Sequence, residues 1–149
     1  MIAVASDHAG YELKTEIVKY LTNSGYKFKD LGTCDGTLSV DYPDYGLVVA
    51  EAVSSGEYQK GIIVCGTGIG ISIAANKVPG IRAALCTDSY MAKMSRQHND
   101  ANILALGDRV IGKGAAIDIV DIWLKTDSLG EIHKTRVDKI TAIEKKYSK

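Results

Sequence analysis

The sequence predicts a doubly wound α/β fold, a three-layer αβα sandwich with a five-stranded parallel sheet of the Rossmann-like kind. Short apolar runs alternate with longer stretches whose apolar residues recur at helical spacing, and glycine or proline separates the two kinds of segment. Strands that alternate with helices form parallel sheets with right-handed crossovers and helices on both faces. The chain has 149 residues, 46% of them hydrophobic, which predicts a single domain with a sizeable core.

Five apolar runs are the predicted strands. Most are rich in Ile, Val, Leu and Ala, as strands buried on both faces of a parallel sheet are. The strands are predicted over residues 2–6, 26–31, 61–64, 81–86 and 102–106.

Amphipathic stretches between and after the strands are the predicted helices. Leu13, Ile17 and Leu21 share one face of the first helix, which the Asn23-Ser24-Gly25 segment ends. Pro43 suits the first turn of the second helix, and Pro79 must end the third. The helices after the first are predicted over about 43–55, 71–77, 88–96, 112–125 and 134–147.

Charge and cysteine content limit the classes of partner. Eighteen basic and eighteen acidic side chains give a net charge of zero, so no overall field draws the chain to nucleic acid or a membrane, and we expect a small-molecule partner. No basic leader and no apolar run of membrane-spanning length is present, so we expect a cytoplasmic protein. Cys34, Cys65 and Cys86 fit neither a disulfide framework nor a zinc-ligand pair, which predicts reduced thiols.

The stretch from Cys65 to Gly70 is a predicted strand-to-helix turn that could bind a ligand or take part in catalysis. Glycines at positions 66, 68 and 70 allow positive φ and close approach of a ligand, so backbone N–H groups can converge on an anion beside a helix N-terminus. A thiol at such a place forms a thiolate readily. Two alternatives stay open: Cys65 could be an inert core thiol, or the turn could bind a dinucleotide with Asp88 on the ribose, although the glycine spacing differs from that fingerprint.

Topology brings a second polar stretch to this turn. If the strand order is 2-1-3-4-5, the switch point lies between strands one and three, and ligands bind outside their carboxyl ends. Asp7 and His8 follow strand one and therefore lie near Cys65, although Asp7 could simply cap the first helix. Tyr42 could belong to a capping turn or could bind a sugar hydroxyl beside the cleft.

The segment 95–102 is dense in hydrogen-bonding side chains but is predicted at the wrong end of the sheet. It follows a helix that runs antiparallel to the strands, so His98 and Asn99 should lie roughly 15 Å from Cys65. If His98 acts at the Cys65 site, it most simply does so from a second subunit, which predicts a homodimer with shared sites. Arg109 and Arg136 are either solvated or form a phosphate clamp.

With these residues identified, the chain resembles the ribose 5-phosphate isomerase B family, in the group that also holds the galactose 6-phosphate isomerase subunits. The resemblance covers nearly the whole length. The motifs that carry it are Ser-Asp-His-Ala-Gly at 6–10, Asp-Tyr-Pro at 41–43, Cys-Gly-Thr-Gly-Ile-Gly at 65–70, Ala-Ala-Asn-Lys at 74–77 and Arg-Gln-His-Asn-Asp-Ala-Asn at 96–102.

The resemblance implies an aldose-ketose isomerase of pentose phosphate metabolism, without metal or cofactor, that converts ribose 5-phosphate to ribulose 5-phosphate through an enediolate. It makes Cys65 the proton-transfer base, while the amides of Gly66, Gly68 and Gly70 and the Thr67 side chain hold the charged oxygen. Ile71 stands where relatives without this cysteine carry a carboxylate. The remaining implied roles are ring opening by His98 with Asp7 and Tyr42, phosphate binding by His8, Arg109 and Arg136, and contact of Asn99 with sugar hydroxyls.

One departure from the family pattern concerns the start of the last helix. Many members have Arg-His there, and this chain has Ile132-His133. We therefore expect weaker dependence on the phosphate and acceptance of unphosphorylated aldoses such as allose. A nucleotide-binding oxidoreductase and a non-catalytic sugar-phosphate-binding module remain alternatives, and the dimers could pair into tetramers.

Overall fold

A computed structural model describes residues 1–149 as a five-stranded parallel sheet with six helices. The strands are β1 (Ile2–Ser6), β2 (Phe28–Asp30), β3 (Lys60–Cys65), β4 (Ala83–Leu85) and β5 (Ile103–Gly107). The helices are α1 (Tyr11–Asn23), α2 (Tyr42–Ser54), α3 (Ile69–Ala75), α4 (Ser89–Gln97), α5 (Lys113–Lys125) and α6 (Ile132–Tyr147). The predicted α/β class and the number of strands and helices are confirmed.

The strand order is β2-β1-β3-β5-β4, so the order 2-1-3-4-5 is wrong in its last two positions. All five residues of β5 are buried, and this strand pairs with β3 and with β4. β4 has three half-buried residues and pairs with β5 alone. The longer, fully buried strand has the inner place, where both faces are covered, and the three-residue strand has the edge.

The central part of the predicted order is correct and fixes the position of the switch point. β1 pairs with β2 on one side and with β3 on the other, all in parallel. The carboxyl ends of β1 and β3 are consequently neighbours, with Ser6 aligned with Val64. The chain leaves these two strands toward opposite faces, into α1 and α3, which opens a crevice between the two exits.

Two apolar clusters, one on each face of the sheet, form the core. Leu13 and Ile17 of α1 and Trp123 of α5 pack with Val4 and Leu106 on one face. On the other face, residues of α2 and α3 pack with alternate residues of the same strands, among them Ile63 and Cys65. The alternation along each strand assigns successive side chains to opposite layers, which confirms the three-layer arrangement.

Helix α6 differs from the other helices because none of its residues is buried. Ile140 and Ile143 are 48% and 60% exposed. This helix is therefore available for contact with another molecule. No helix in the structure combines the length and the apolar character that a membrane crossing requires.

The end of β5 lies against the backbone of the Cys65 turn. This contact predicts that a methyl group added at Gly107 destabilises the fold. A Cβ atom at Gly107 would lie 2.5 Å from the carbonyl oxygen of Thr67. Gly107→Ala should therefore lower the free energy of unfolding in urea by at least about 1 kcal/mol, since overpacking against backbone forces it to shift. Gly114→Ala is the matched control: a Cβ there has no neighbour within 4 Å, and alanine favours the α5 helix. Equal urea midpoints for the two variants would contradict the contact.

Candidate active site

Cys65 ends β3, and its sulfur receives a hydrogen bond from the turn that follows. The backbone N–H of Gly68 donates to the Cys65 Sγ at 3.1 Å. Gly68 has a left-handed φ of 79° and precedes the first residue of α3. Cys65 is 4% exposed and lies at the floor of a cleft, with its sulfur against the positive end of a backbone dipole.

The three glycines of the turn serve different purposes, and only one of them needs positive φ. Gly68 is the glycine in the left-handed region. A Cβ at Gly70 would lie 2.5 Å from Cε1 of Tyr42, and one at Gly66 would lie 3.4 Å from Nη1 of Arg109. Gly66 and Gly70 instead leave room for Arg109 and Tyr42 to lie across the turn.

Asp7 lies beside Cys65, as the topology predicts, but the N-cap of α1 is Gly10 and not Asp7. Its Oδ1 accepts a hydrogen bond from the N–H of Gly10 at 3.0 Å, so it caps the turn that leads into α1. It also lines the cleft beside Cys65. Gly10 allows this arrangement because a Cβ there would lie 2.6 Å from the carbonyl oxygen of Val64, which means that the turn packs directly on β3.

His8 is held by a loop that the sequence did not connect with it. Its Nδ1 accepts a hydrogen bond from the N–H of Val40 at 3.1 Å. In the neutral ring the proton is therefore on Nε2, which is left to donate to a ligand.

The cleft has a volume of about 460 Å³ and contains most of the predicted site residues. The predicted residues that line it are Asp7, His8, Tyr42, Cys65, Gly66, Thr67, Gly70 and Arg109. Ala9 and Ile69 also line it and were not predicted. An adjoining cavity of about 550 Å³ shares His8 and Arg109 and is bounded by the loop at Cys34 to Thr37.

The three thiols have different surroundings, and only Cys65 lines the cleft at the switch point. Burial raises the pKa of Cys86 to about 11, so this thiol stays protonated near neutral pH. Cys34 is exposed at the adjoining cavity. Cys65 belongs to the buried apolar layer on this face of the sheet and also lines the cleft.

His98, Asn99 and Arg136 are not brought to this cleft within one chain. His98 is the residue that follows α4, and the loop after it leads into β5, whose entry is beside Gly61 at the start of β3. The N–H of Gly61 donates to the carbonyl of Asn102 at 2.9 Å. Cys65 is four residues further along β3, or about 13 Å at about 3.3 Å per residue, so His98 lies toward the opposite end of the sheet.

Two arginines hold the loop that carries His98 and Asn99. Nε of Arg82 donates to the carbonyl oxygens of Asn99 and Asp100 at 3.2 and 3.0 Å. The guanidinium of Arg96 is largely buried and donates to Oδ1 of Asp100 at 3.0 Å and to the carbonyl of Ala101. Asp100 has a positive φ of 46°, which these contacts stabilise. The backbone around His98 is therefore fixed.

Comparison with known proteins identifies the family. The family model described as Ribose/Galactose Isomerase matches residues 2–140. The chain belongs to this family.

Named members of the ribose/galactose isomerase family match nearly the whole chain. Ribose-5-phosphate isomerase B of Escherichia coli (strain K12) is 51% identical over 145 residues, which are 97% of each chain. The structure of Clostridium thermocellum ribose-5-phosphate isomerase B has a TM-score of 0.97 and 65% identity and covers 99% of both chains. That of Mycoplasma genitalium ribose-5-phosphate isomerase B, with bound ribulose-5-phosphate, has a TM-score of 0.92 and 41% identity, covering 97% of this chain and 95% of that one. The resemblance drawn from the motifs is confirmed.

One further contact in this ribose/galactose isomerase family member was not anticipated from the sequence. The imidazole of His98 stacks on that of His133, with ring centroids 4.2 Å apart and planes 12° from parallel. His133 lies in the first turn of α6, three residues before Arg136. The spacing places His133 and Arg136 on one side of the helix. The sequence pointed to His133 only as part of the Ile132-His133 pair at the start of this helix.

The residue that a dinucleotide site would require has a local structural role. Asp88 precedes α4, and its Oδ1 accepts a hydrogen bond from the N–H of Met91 at 2.7 Å, so it caps that helix. The structure contains no group of three or more His, Cys, Asp or Glu side chains arranged to hold a metal ion.

Proposed function

We propose that this protein is an aldose-ketose isomerase that interconverts ribose 5-phosphate and ribulose 5-phosphate through an enediolate, with the chain as one sugar-phosphate isomerase domain. The observation that carries the proposal is the Cys65 sulfur at the floor of the cleft, against the Gly68 amide and beside Asp7 and His8. The relatives named ribose-5-phosphate isomerase B support the choice of sugar, as does the ribulose-5-phosphate bound in one of them.

The proposed proton transfer uses Cys65 as the base. The Cys65 thiolate takes the proton from C2 of the open-chain aldose, and the electron pair moves through C1 onto the carbonyl oxygen to form the enediolate. The thiol then returns the proton to C1, while the C2 oxygen becomes the carbonyl and its hydroxyl proton moves to the C1 oxygen. Ile71 is fully buried and cannot ionise, so it offers no alternative base.

Main-chain donors of the same turn stabilise the charge that develops on oxygen. Two N–H groups of the turn have partners already: that of Gly68 donates to the Cys65 sulfur and that of Ile69 to the Thr67 hydroxyl oxygen. The amides of Gly66 and Gly70 are the proposed donors to the developing charge, and the exposed Thr67 adds its hydroxyl. Preorganised donors of this kind, held in place before the reaction, are worth about 100- to 1000-fold in rate each. The turn thus supplies both the base and the oxyanion site.

Ring opening and part of the phosphate binding are assigned to a second copy of the chain. His98 lies toward the far end of the sheet from Cys65, and α6 presents exposed Ile140 and Ile143 with no residue buried. In a two-fold dimer the same surface serves both subunits, so each can place His98, Asn99 and Arg136 at the cleft of the other. His8 and Arg109 then hold the phosphate from the cleft side, and Tyr42 contacts a sugar hydroxyl.

We further propose that the enzyme works in the cytoplasm without a metal or cofactor. Acceptance of free aldoses such as allose and pairing of dimers into tetramers remain predictions.

Replacement of Cys65 tests the base. Cys65→Ala should lower kcat for ribose 5-phosphate by at least about 100-fold, because general-base catalysis contributes about 10²- to 10⁴-fold. Circular dichroism and the melting temperature should stay close to those of the wild type. Cys34→Ala is the matched control, since it removes an exposed thiol from outside the proposed machinery. Activity retained in Cys65→Ala would remove the thiol from the mechanism.

Mixed dimers test whether the sites are shared. Cys65→Ala and His98→Ala homodimers should each be inactive, but a heterodimer has one site with both defects and one with neither. Random mixing after mild unfolding and refolding should restore roughly a quarter of wild-type activity. If the mixture stays as inactive as its components, both residues act within one chain or the protein is not a dimer.

Replacement of the isoleucine at the start of α6 tests whether this helix contributes to phosphate binding. Ile132 is 58% exposed, in the turn that holds His133. Ile132→Arg should lower the Michaelis constant for ribose 5-phosphate by about tenfold, because a guanidinium fork adds charged hydrogen bonds to phosphate. The constant for allose should not change. Thr135→Arg adds the same charge elsewhere on α6, and an unchanged Michaelis constant in Ile132→Arg would mean that position 132 does not face the phosphate.

A further inference from the structure

Lys14 is a buried lysine that the proposed proton transfer does not use. It lies on α1, is 1% exposed, and donates from Nζ to Oδ1 of Asp30 at 2.8 Å and to the carbonyl oxygen of Thr33 at 2.6 Å. Burial of an ammonium group is costly unless the group is paired and hydrogen-bonded. The pairing with Asp30 joins α1 to β2, and the bond to Thr33 fixes the start of the loop over residues 33–40, which leads toward α2.

The same ammonium group faces the aromatic ring of Tyr11, one turn earlier on α1. Nζ of Lys14 lies 5.2 Å from the centroid of that ring, within the range of a cation–π contact. The loop backbone lies against the ring, because a Cβ atom at Gly36 would lie 2.6 Å from Cδ1 of Tyr11. Lys14 and Tyr11 therefore form a platform on α1 that supports the loop at Thr33 and at Gly36.

The far end of this loop is attached through a residue of the proposed phosphate site. Residues 34–40 make one hydrogen bond to the rest of the chain, from the N–H of Val40 to Nδ1 of His8. Most of these residues are exposed, and Leu38 is 63% exposed, so apolar packing adds little to the attachment. The position of Val40 against His8 thus depends on how the platform holds the first half of the loop.

We infer that Lys14 is a positioning residue that, through the loop over residues 33–40, holds the imidazole of His8 in place to donate from Nε2 to the phosphate of the substrate. This role rests on the proposed function, in which His8 binds the phosphate. The N–H of Val40 occupies Nδ1, so the neutral ring keeps its proton on Nε2. Loss of the Val40 bond leaves the ring free to turn and to exchange its tautomers, which weakens its hydrogen bond to an anion.

A purely structural role for Lys14 predicts different behaviour. The connection between α1 and β2 would then contribute only to the free energy of unfolding, and phosphate binding would be unchanged in a folded variant. A positioning role predicts a local change at the Val40 amide together with weaker phosphate binding. Turnover should change little, because the hydrogen bonds of Lys14 do not reach the Cys65 turn.

Lys14→Met tests this role, because methionine fills the buried space without the ammonium group. The Michaelis constant for ribose 5-phosphate and the dissociation constant of inorganic phosphate should each rise about tenfold, while kcat stays within about threefold of the wild type. Hydrogen exchange of the Val40 amide, measured by nuclear magnetic resonance, should become at least about tenfold faster relative to core amides such as that of Ile63. Lys19→Met is the matched control, since it removes an exposed lysine from the same helix and should change none of these quantities.

Gly36→Ala is the second variant and serves where Lys14→Met does not fold. Its Cβ moves the loop away from Tyr11 without removing a buried charge, so it should raise both constants and the Val40 exchange rate. Unchanged Val40 exchange, unchanged phosphate binding, or faster exchange shared equally by Ile63 would overturn the role of Lys14.

Failure of the proposed function has a different signature. It is wild-type protein that binds inorganic phosphate and protects the Val40 amide but does not convert ribose 5-phosphate. The exchange measurement and the phosphate titration then still decide the role of Lys14, because neither of them requires turnover.

Discussion

The hydrogen bond from the Gly68 amide to the Cys65 sulfur is the contact on which the cleft depends. It requires the left-handed backbone of Gly68, where a Cβ would lie 2.5 Å from Leu85 and 2.9 Å from the backbone of Leu106. Those neighbours belong to β4 and to β5. Strands β4 and β5 therefore determine how tightly the turn can close, and the position of one amide against one sulfur depends on how this side of the sheet packs.

The sequence could predict the cleft because its position depends on strand direction rather than on side-chain detail. The run from Gly61 to Val64 indicates a buried parallel strand, and the carboxyl ends of neighbouring parallel strands must lie together. The order of β4 and β5 could not be inferred from direction alone. Arg82, at the edge of the fourth apolar run, was a sign that this run is less buried than residues 103–106.

Contacts between elements distant in the sequence were beyond pattern reasoning. The bond between His8 and Val40 and the stack of His98 on His133 join segments that share no periodicity. The glycines of the Cys65 turn also show that the sequence does not identify contact partners. Glycine at positions 66 and 70 indicates close approach, but the approaching groups, Arg109 and Tyr42, come from other elements. Sequence spacing can locate such a residue, whereas its partner is known only from the fold.

The proposal that two subunits share the site rests on the length of the strands. A parallel strand of five or six residues separates its two ends by more than any side chain can span. Groups held at the end of α4 cannot reach a turn at the carboxyl end of β3 in the same chain. A two-fold axis would complete both sites, because the amino end of the sheet in each subunit would face the carboxyl-end cleft of the other. In such an assembly the proton-transfer groups stay on one rigid backbone turn, while the ring-opening and phosphate groups arrive together on α4 and α6. Formation of the interface and completion of the site then become the same event.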